Sequence, residues 1–378
     1  MEIDSAELQG KSFVCLEGCA MCCLCQPELS MDEVARFRKY GLTAGLTREH
    51  IQGHMTDEPT AIKLQGGTGA CHFLRADRRC SIHDLRPSSC RQFPVHLHSL
   101  ARIQLNANLS CRGITEGGNT LMNFGEGLLG DAGEKVMNGI LRETIESVSA
   151  FENNARNAGV HQSPDRLGEA AAALMPFLSN PEGFGKILAF ADSEPKLGGM
   201  PVEDIVGMVE ATDAPDDLAE MANAGNLEQL DLDNPAWYPI YVDEKFRWRT
   251  YRTTGGSIEV MEIEPDGTSH LEMTIKALEL AMPDDGAGKV FSNYARLLNS
   301  RDHFLGYAYW LCDDHEYRND LMTVYLGLMA TTMMDLWWRS CLIGRVIGKE
   351  KLDAGLAMEG VRAFDMDCLD MPTLGTFF

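Results

Sequence analysis

The chain has 378 residues, more than a single hydrophobic core usually organises, so its length predicts two domains or one domain with a large extension. Hydrophobic residues make up 44% and charged residues 24%, ordinary values for a globular protein that exclude a largely disordered chain. The formal net charge of −23 argues against nucleic acid as a partner, because so acidic a surface repels phosphate.

The start of the sequence predicts a cytoplasmic protein. Its first ten residues, MEIDSAELQG, carry three acidic residues and lack the basic stretch and apolar run of a secretory signal peptide. The most apolar window, 321–338, contains Asp335 and is followed by Arg339, so it falls short of the roughly 20 uninterrupted apolar residues that span a bilayer. We therefore expect no membrane span, and we expect Asp335 and Arg339 to pair on one helix.

Charge is unevenly distributed along the chain. Residues 1–120 contain 13 Lys+Arg and 13 Asp+Glu, whereas the remainder contains 20 and 43. Between 71 and 112, seven arginines face only two aspartates. This basic island predicts an anionic neighbour, either a metal cluster, a substrate or a partner.

The first part of the chain shows few strong secondary-structure signals. Ser30 and Glu33 have the spacing of a capping box, which predicts a helix starting at 31. Two short strands are expected at 73–74 and 80–82, and a further strand within 102–111. Because little regular structure fits between the cysteines, a bound metal would have to supply part of the cohesion.

Beyond about residue 119 the pattern becomes helical. Glycines divide the first helical stretch into two pieces, and Ser163 followed by Pro164 predicts the start of another helix. Further helices are predicted at 201–210, 215–224, 289–300 and 303–347, the last one kinked. Glycine turns at 255–256 and 266–267 predict an antiparallel meander at about 246–275.

These elements predict an α+β protein in two parts. We expect a small, irregular, cysteine-rich domain at 1–115, followed by an acidic and mainly helical region at 116–378 that carries the antiparallel meander. The sequence shows no internal repeat, which argues against a solenoid.

Cysteine usage is the strongest chemical signal. The chain has 12 cysteines, and nine of them lie between 15 and 111. Thiols in the cytosol stay reduced, so this density indicates metal binding more than disulfides. The spacing is C-x3-C-x2-C-C followed by four dispersed cysteines, and the predicted ligands are Cys15, Cys19, Cys22, Cys23, Cys71, Cys80, Cys90 and Cys111.

Adjacent cysteines diverge along an extended backbone, so Cys22 and Cys23 are expected to serve two centres or to bridge within one unusual cluster. Eight sulfurs at four per centre predict two sites, with Cys25 as a spare thiol or a substitute ligand. Arg86 and Arg91 are expected to orient the sulfurs. His96 and His98 alternate on an expected strand, which points both rings to one side, either as a ligand pair or as ordinary strand histidines.

Both zinc and iron-sulfur clusters accept four thiolates. Two features favour one or two iron-sulfur clusters, of the 4Fe-4S type. Zinc modules usually pair two CxxC units, and only Cys19-x2-Cys22 has that spacing here. Nearby arginines also suit the negative charge of a thiolate-bound cluster.

The stretches CLEGCAMCC (15–23), CHFL (71–74) and CSIHDLRPSSCRQFPV (80–95), together with Cys111, resemble the YkgJ-type cysteine-cluster family of zinc- or iron-chelating proteins. The resemblance covers about the first 115 residues and implies a metal-binding cysteine domain. His83 stands where the family usually has tyrosine, which places an imidazole near the implied centre. The cysteine arrangement is more distantly similar to flagellin lysine N-methylases, which implies an iron-sulfur cluster.

The cysteine pattern is compatible with several functions. The spacing of Cys15, Cys19 and Cys22 also matches the radical SAM signature, although Met21 replaces the expected aromatic and the later chain does not predict a parallel barrel. A metal-dependent methyltransferase-like enzyme and a structural-zinc interaction protein would also use such a set of thiols. The expected function is an iron-sulfur protein that transfers electrons or serves as an accessory subunit of a redox enzyme, with that enzyme as its protein partner.

Overall fold

The computed structural model describes residues 3–231, 238–369, 373–374 and 376–377. In these ranges the helices are α1 (Met31–Lys39), α2 (Ser88–Gln92), α3 (Thr120–Ala132), α4 (Glu134–Ala158), α5 (Pro164–Ala173), α6 (Pro181–Asp192), α7 (Val202–Ala211), α8 (Leu218–Leu230), α9 (Asp285–Ser300), α10 (Asp302–Asp314), α11 (Leu321–Ile347) and α12 (Ala354–Leu369). The strands are β1 (Ile3–Asp4), β2 (Lys11–Phe13), β3 (Leu46–Thr47), β4 (Ala61–Ile62), β5 (Val95–Ser99), β6 (Ile103–Ala107), β7 (Ile114–Glu116), β8 (Ile240–Val242), β9 (Trp248–Thr254), β10 (Ser257–Ile263), β11 (Ser269–Ile275) and β12 (Thr376–Phe377). The predicted α+β class is confirmed.

The cysteine-rich part contains only short strands. One sheet has the order β1-β6-β5-β12, in which β1 pairs with β6 in parallel and the other pairs are antiparallel. The strand expected within 102–111 is β6, and all five of its residues are buried. The two strands expected at 73–74 and 80–82 are wrong: this segment holds a single antiparallel bridge between Leu74 and Cys80, because the charged turn leaves too few residues for a ladder.

The capping box at the start of α1 is confirmed, and it also positions a later segment. Ser30 Oγ accepts a hydrogen bond from Glu33 N at 3.3 Å, and Glu33 Oε2 accepts one from Ser30 N at 3.0 Å. The second carboxylate oxygen, Glu33 Oε1, accepts a hydrogen bond from Ser88 N at 2.6 Å. Through this bond, α1 holds the start of α2, which carries Cys90.

The predicted break in the first helical stretch is confirmed, and the rest of the helical part follows the predicted order with two differences. The first helical stretch is divided between α3 and α4 at Gly133, whose φ of +80° is unfavourable for any other residue type. The helix expected at 303–347 is two helices, α10 and α11, rather than one kinked helix. Helices α6 and α12 were missed; ten of the sixteen residues of α12 are buried, which weakens its helical periodicity.

Helix α11 organises the largest core. It packs against α12 and α6, and its buried residues include Met329, Leu336 and Trp337. The expected pair on this helix is confirmed, since Arg339 Nε lies 2.9 Å from Asp335 Oδ1. None of the helices in the described ranges is long and apolar enough to cross a membrane.

The antiparallel sheet connects the helical core to the cysteine-rich part. Its strand order is β11-β10-β9-β8, and β9 to β11 form the predicted meander. Tyr251 and Val260 lie in the core around α11, whereas Val242 and Trp248 lie in a smaller core with residues of the cysteine-rich part such as Phe37. Neighbouring strands of one sheet therefore contribute to both cores.

A buried ionic network makes a second connection. Arg301 is fully buried; its Nη2 lies 2.7 Å from Glu7 Oε1 and its Nη1 lies 2.6 Å from Asp365 Oδ1. Arg301 Nη2 also donates to Ala107 O at 2.9 Å, and Tyr294 OH donates to Asp365 Oδ1 at 2.7 Å. The charges of this network are thus supplied by both parts of the chain.

Candidate metal centre

The first four predicted ligands lie on one irregular loop between β2 and α1. Gly18 adopts φ +83° and Ala20 adopts φ +49°, so the loop reverses direction twice before the 3₁₀ turn Met21–Cys23. Cys23 N donates to Ala20 O at 2.9 Å, which closes this turn. These reversals keep Cys15, Cys19, Cys22 and Cys23 in one compact segment.

The antiparallel sheet covers this loop. Trp248 Nε1 donates to Cys19 O at 2.9 Å, and the indole is fully buried. The guanidinium of Arg78 lies 4.4 Å from the centre of the Trp248 ring and donates to Phe246 O at 2.6 Å. The backbone around Cys19 is therefore held from β9.

The next three predicted ligands lie on later segments of the cysteine-rich part. Cys71 N donates to Cys23 O at 2.8 Å, and the bridge between Leu74 and Cys80 brings Cys80 back toward Cys71. Gln65 Nε2 donates to the carbonyl oxygens of Cys71 (3.0 Å) and Leu74 (2.9 Å), which fixes this short turn. Cys90 lies on α2.

Cys111 lies in the turn between β6 and β7. Its N–H donates to Asn108 O at 3.0 Å. Strand β7 pairs with β2, and Val14 N donates to Gly113 O at 3.0 Å, so the backbones that carry Cys15 and Cys111 run side by side. The fold thus brings the last predicted ligand to the start of the first loop.

The thiols are close enough to influence one another electrostatically. A hydrogen bond from Cys23, and secondarily the positive charge of Arg86, lower the pKa of Cys22 to about 7 despite its burial. The Cys22 thiol in turn contributes to raising the pKa of all seven other predicted ligands, which are Cys15, Cys19, Cys23, Cys71, Cys80, Cys90 and Cys111. Cys22 is therefore central to the group.

Burial is the largest cause of the raised pKa of Cys71, to about 11, and of Cys111, to about 12, with neighbouring thiols adding to it. The same two causes raise the pKa of Cys90 well above its ordinary value. Buried thiols that oppose one another's ionisation require a cation to become thiolates together. This donor set fits a metal that prefers sulfur, such as zinc or iron.

All twelve cysteines lie in described segments, and none of them forms a disulfide. Within the ranges given above, no three His, Cys, Asp or Glu side chains are arranged so that they could hold a metal ion as they stand. The structure therefore gathers the eight sulfurs in one neighbourhood without bringing them to coordination distance.

The predicted accessory residues differ in position. Arg86 lies near the thiols, because its charge lowers the pKa of Cys15, Cys22 and Cys80 against the effect of burial. Arg91 is partly buried on α2, directly after Cys90. His83 is exposed, with its Nδ1 3.3 Å from Asp84 Oδ1.

The ninth thiol, that of Cys25, is exposed, and its Sγ donates to Cys22 O at 3.3 Å. It also contributes to the raised pKa of Cys90. Cys25 therefore lies at the rim of the thiol group, near the side that carries α2.

A second polar cluster contains two residues that the sequence singled out and two that it did not. His96 and His98 do lie on one strand, β5, and burial lowers the pKa of His96 to about 4 and that of His98 to about 3. The missed members are His303, whose ring lies 5.5 Å from that of His98, and Cys368, whose Sγ lies 3.5 Å from His303 Nε2. A lone histidine on α10 and a lone cysteine on α12 carry no spacing signal that could have predicted this contact.

Residues 14–112, about a quarter of the chain, match the model of the CxxCxxCC family, described as "Putative zinc- or iron-chelating domain". Neither the curated proteins nor the solved structures contain a match to the chain. The matched segment includes all eight predicted ligands, and it supports metal binding by a cysteine cluster, with zinc or iron as the metal. The predicted resemblance to this zinc- or iron-chelating cysteine-cluster family is therefore confirmed over residues 14–112.

Proposed function

We propose that residues 14–112 hold one or two iron-sulfur clusters of the 4Fe-4S type, and that the protein transfers electrons or serves as an accessory subunit of a redox enzyme. The observation that carries this proposal is the position of Cys22, which acts electrostatically on all seven other predicted ligands. One neighbourhood that contains eight thiols has enough sulfur for two clusters with four thiolates each.

The surroundings of the thiols favour iron-sulfur over zinc. Met21, Phe73 and Trp248 belong to the small apolar core that encloses this neighbourhood, and such a shell excludes water and lowers the local dielectric. The positive charge of Arg86 partly offsets the negative charge of the thiolates. Burial and nearby charge are the protein's means of setting a reduction potential, whereas a structural zinc ion has no potential to set.

When bound, such a cluster accepts and donates single electrons. The residues of this chain have separate roles: the cysteines supply the thiolates, Arg86 balances their charge, and Trp248 shields the loop from solvent. The acidic region beyond residue 120, with 43 Asp+Glu against 20 Lys+Arg, suits docking onto a basic surface of the redox partner. Twelve cysteines without a disulfide suit the reducing cytoplasm, where we place the protein.

The test is quantification of iron, zinc and acid-labile sulfide on full-length protein purified without oxygen. We expect iron and sulfide in equal amounts, with a broad absorption band at about 400 nm that bleaches reversibly on chemical reduction. Cys22→Ser should weaken the band by half or more, whereas Cys341→Ser should leave it unchanged because Cys341 is buried in the helical core. Protein with neither sulfide nor the band contradicts the proposal.

Structural zinc is the second candidate, because the cysteine-rich part has so little regular structure that a bound metal would stabilise its fold. In that case the same preparation contains zinc, no sulfide and no visible band. A metal-dependent methyltransferase activity stays a prediction.

A further inference from the structure

We infer that the eight thiols are divided between two centres: a first centre of Cys15, Cys19, Cys22 and Cys111, and a second centre of Cys23, Cys71, Cys80 and Cys90. This inference rests on the proposed metal binding and adds to it the assignment of each ligand. The division holds for clusters and for zinc alike, because both take four thiolates per centre.

Backbone contacts assemble the first centre. Cys15 follows β2, Cys111 precedes β7, and these two strands pair with Phe13 opposite Ile114. The bond from Val14 N to Gly113 O continues this pairing to the residue next to Cys15. Cys19 follows Cys15 on the same loop, four positions later.

A different set of contacts assembles the second centre. Cys23 O accepts the hydrogen bond from Cys71 N, and the bridge between Leu74 and Cys80 folds the following turn back. Cys90 on α2 is the remaining thiol, and four thiolates per centre assign it to this group.

The adjacent pair is where the two centres meet. The backbone of Cys23 is hydrogen-bonded to that of Cys71, so we assign Cys23 to the second centre. Cys22 lies one turn from Cys19 in the C-x2-C spacing that lets two thiolates bind one metal centre, so it completes the first centre at four sulfurs. Cys22 and Cys23 are consecutive residues of the 3₁₀ turn Met21–Cys23, so the two centres are neighbours.

The two centres differ in what holds them. The turn that carries Cys111 is anchored by the helical part: Arg112 donates from Nη1 to Glu359 Oε1 at 3.1 Å and from Nε to Val242 O at 2.8 Å. On the other side of Cys111, Ser110 Oγ accepts a hydrogen bond from Met366 N at 2.9 Å. Glu359 is therefore a positioning residue for the first centre.

The second centre is anchored inside the cysteine-rich part. Glu33 holds the start of α2, and Gln65 holds the turn that follows Cys71. A change in α12 should therefore loosen the first centre and spare the second.

The first experiment compares paired cysteine variants of the full chain by metal and sulfide content per chain. Cys15→Ala and Cys90→Ala should each lose about half of the metal, because each removes one ligand of one four-thiolate centre. Cys15→Ala with Cys111→Ala should lose no more than either alone, whereas Cys15→Ala with Cys90→Ala should lose all of it. The assignment is overturned if each single variant loses all of the metal. It is also overturned if the double variants show that the cysteines fall into two other sets of ligands.

The second experiment keeps every thiol and uses Glu359→Gln. Half of the bound metal should be released to a chelator about 10-fold faster than from the unchanged protein, the size typical of losing a group that orients a ligand. Asp367→Asn is the matched control, because it breaks the 2.5 Å pair with Arg339 on the same helix without touching residues 108–112. Equal effects of the two variants, or faster release of all the metal, overturn the positioning role.

These outcomes are separate from failure of the proposed function. If the unchanged protein binds no metal, the metal-binding proposal fails and the assignment fails with it. If the unchanged protein binds metal but the variants group differently, only the assignment fails. Native amide exchange in α11 confirms in each case that the variant is folded.

Discussion

The helical part and the cysteine-rich part of this molecule are stabilised by different chemistry. The helical part has one large core around α11 that includes many fully buried apolar side chains. The cysteine-rich part has two small cores, and one of them counts Cys23 and Cys71 among its buried members. Where the sequence offers long apolar helices, burial alone can stabilise the fold; where it offers thiols on irregular loops, stability is expected to depend on what those thiols bind.

The two parts are nevertheless not independent, because specific contacts join them. Trp248 places a fully buried indole from the sheet into the small core, and Arg301 pairs with one carboxylate from each part. These contacts form the joint between the two parts.

Removal of the metal should have the largest effect and should separate the parts. On the order of 10 kcal/mol of folding free energy is typical of a structural thiolate site, so a chelator should unfold or loosen the cysteine-rich part. Amide hydrogen exchange should rise strongly in residues 14–29 and 61–92, and little in α9 and α11. Protection that is unchanged in the cysteine segments would show that their fold does not depend on a metal.

Arg301→Met should cause the next largest loss of stability, because it disrupts the ionic contact between the two parts. It leaves the buried carboxylates of Glu7 and Asp365 without their cation, which typically costs about 3–5 kcal/mol. Urea unfolding followed by circular dichroism measures this loss. Arg318→Met is the matched control, because Arg318 and Glu316 form an exposed pair whose removal should cost about 1 kcal/mol or less. Equal losses in the two variants would mean that the buried network does not stabilise the fold.

Acidification should have the smallest effect on the unfolding free energy. It should act where His98 of the cysteine-rich part lies against His303 of the helical part. Burial, and then His96, lower the pKa of His98 to about 3, so between pH 6.5 and 3 the unfolded chain takes up a proton that the folded chain does not. Stability is therefore full above pH 6.5 and falls as the pH decreases, by about 2 kcal/mol at pH 5.

The measurement is the difference in unfolding free energy between pH 7.5 and pH 5. His98→Gln should reduce this difference by about 2 kcal/mol, because the variant has no proton to take up on unfolding. His270→Gln is the control, since His270 is exposed on β11. An unchanged pH difference in His98→Gln would show that this histidine does not couple folding to pH.

Local signals in the sequence predicted the ends of helices well where a single residue determines the end. The capping box at Ser30, the helix start at Ser163 and the break at Gly133 are all confirmed, because caps and glycine conformations depend on a few neighbouring residues. Helix α12 was missed because a helix buried on most sides shows little amphipathic period.

The candidate site was predicted as a set of residues but not as an arrangement. Cysteine density identified the eight thiols, whose role as ligands stays a prediction. The contacts that hold them could not be predicted, because Trp248 with Cys19 and Arg112 with Glu359 are long-range pairs without any sequence spacing. Such pairs depend on tertiary packing, which a single sequence does not encode in its local pattern.

The hydrogen bond between Trp248 and the loop also has a consequence for biosynthesis. The indole lies 229 positions after Cys19, so the loop leaves the ribosome long before the strand that covers it has been translated. A donor that loads metal during translation therefore meets a loop whose backbone is still free to move, whereas one that acts on the finished protein meets a loop already held at Cys19 O by the sheet.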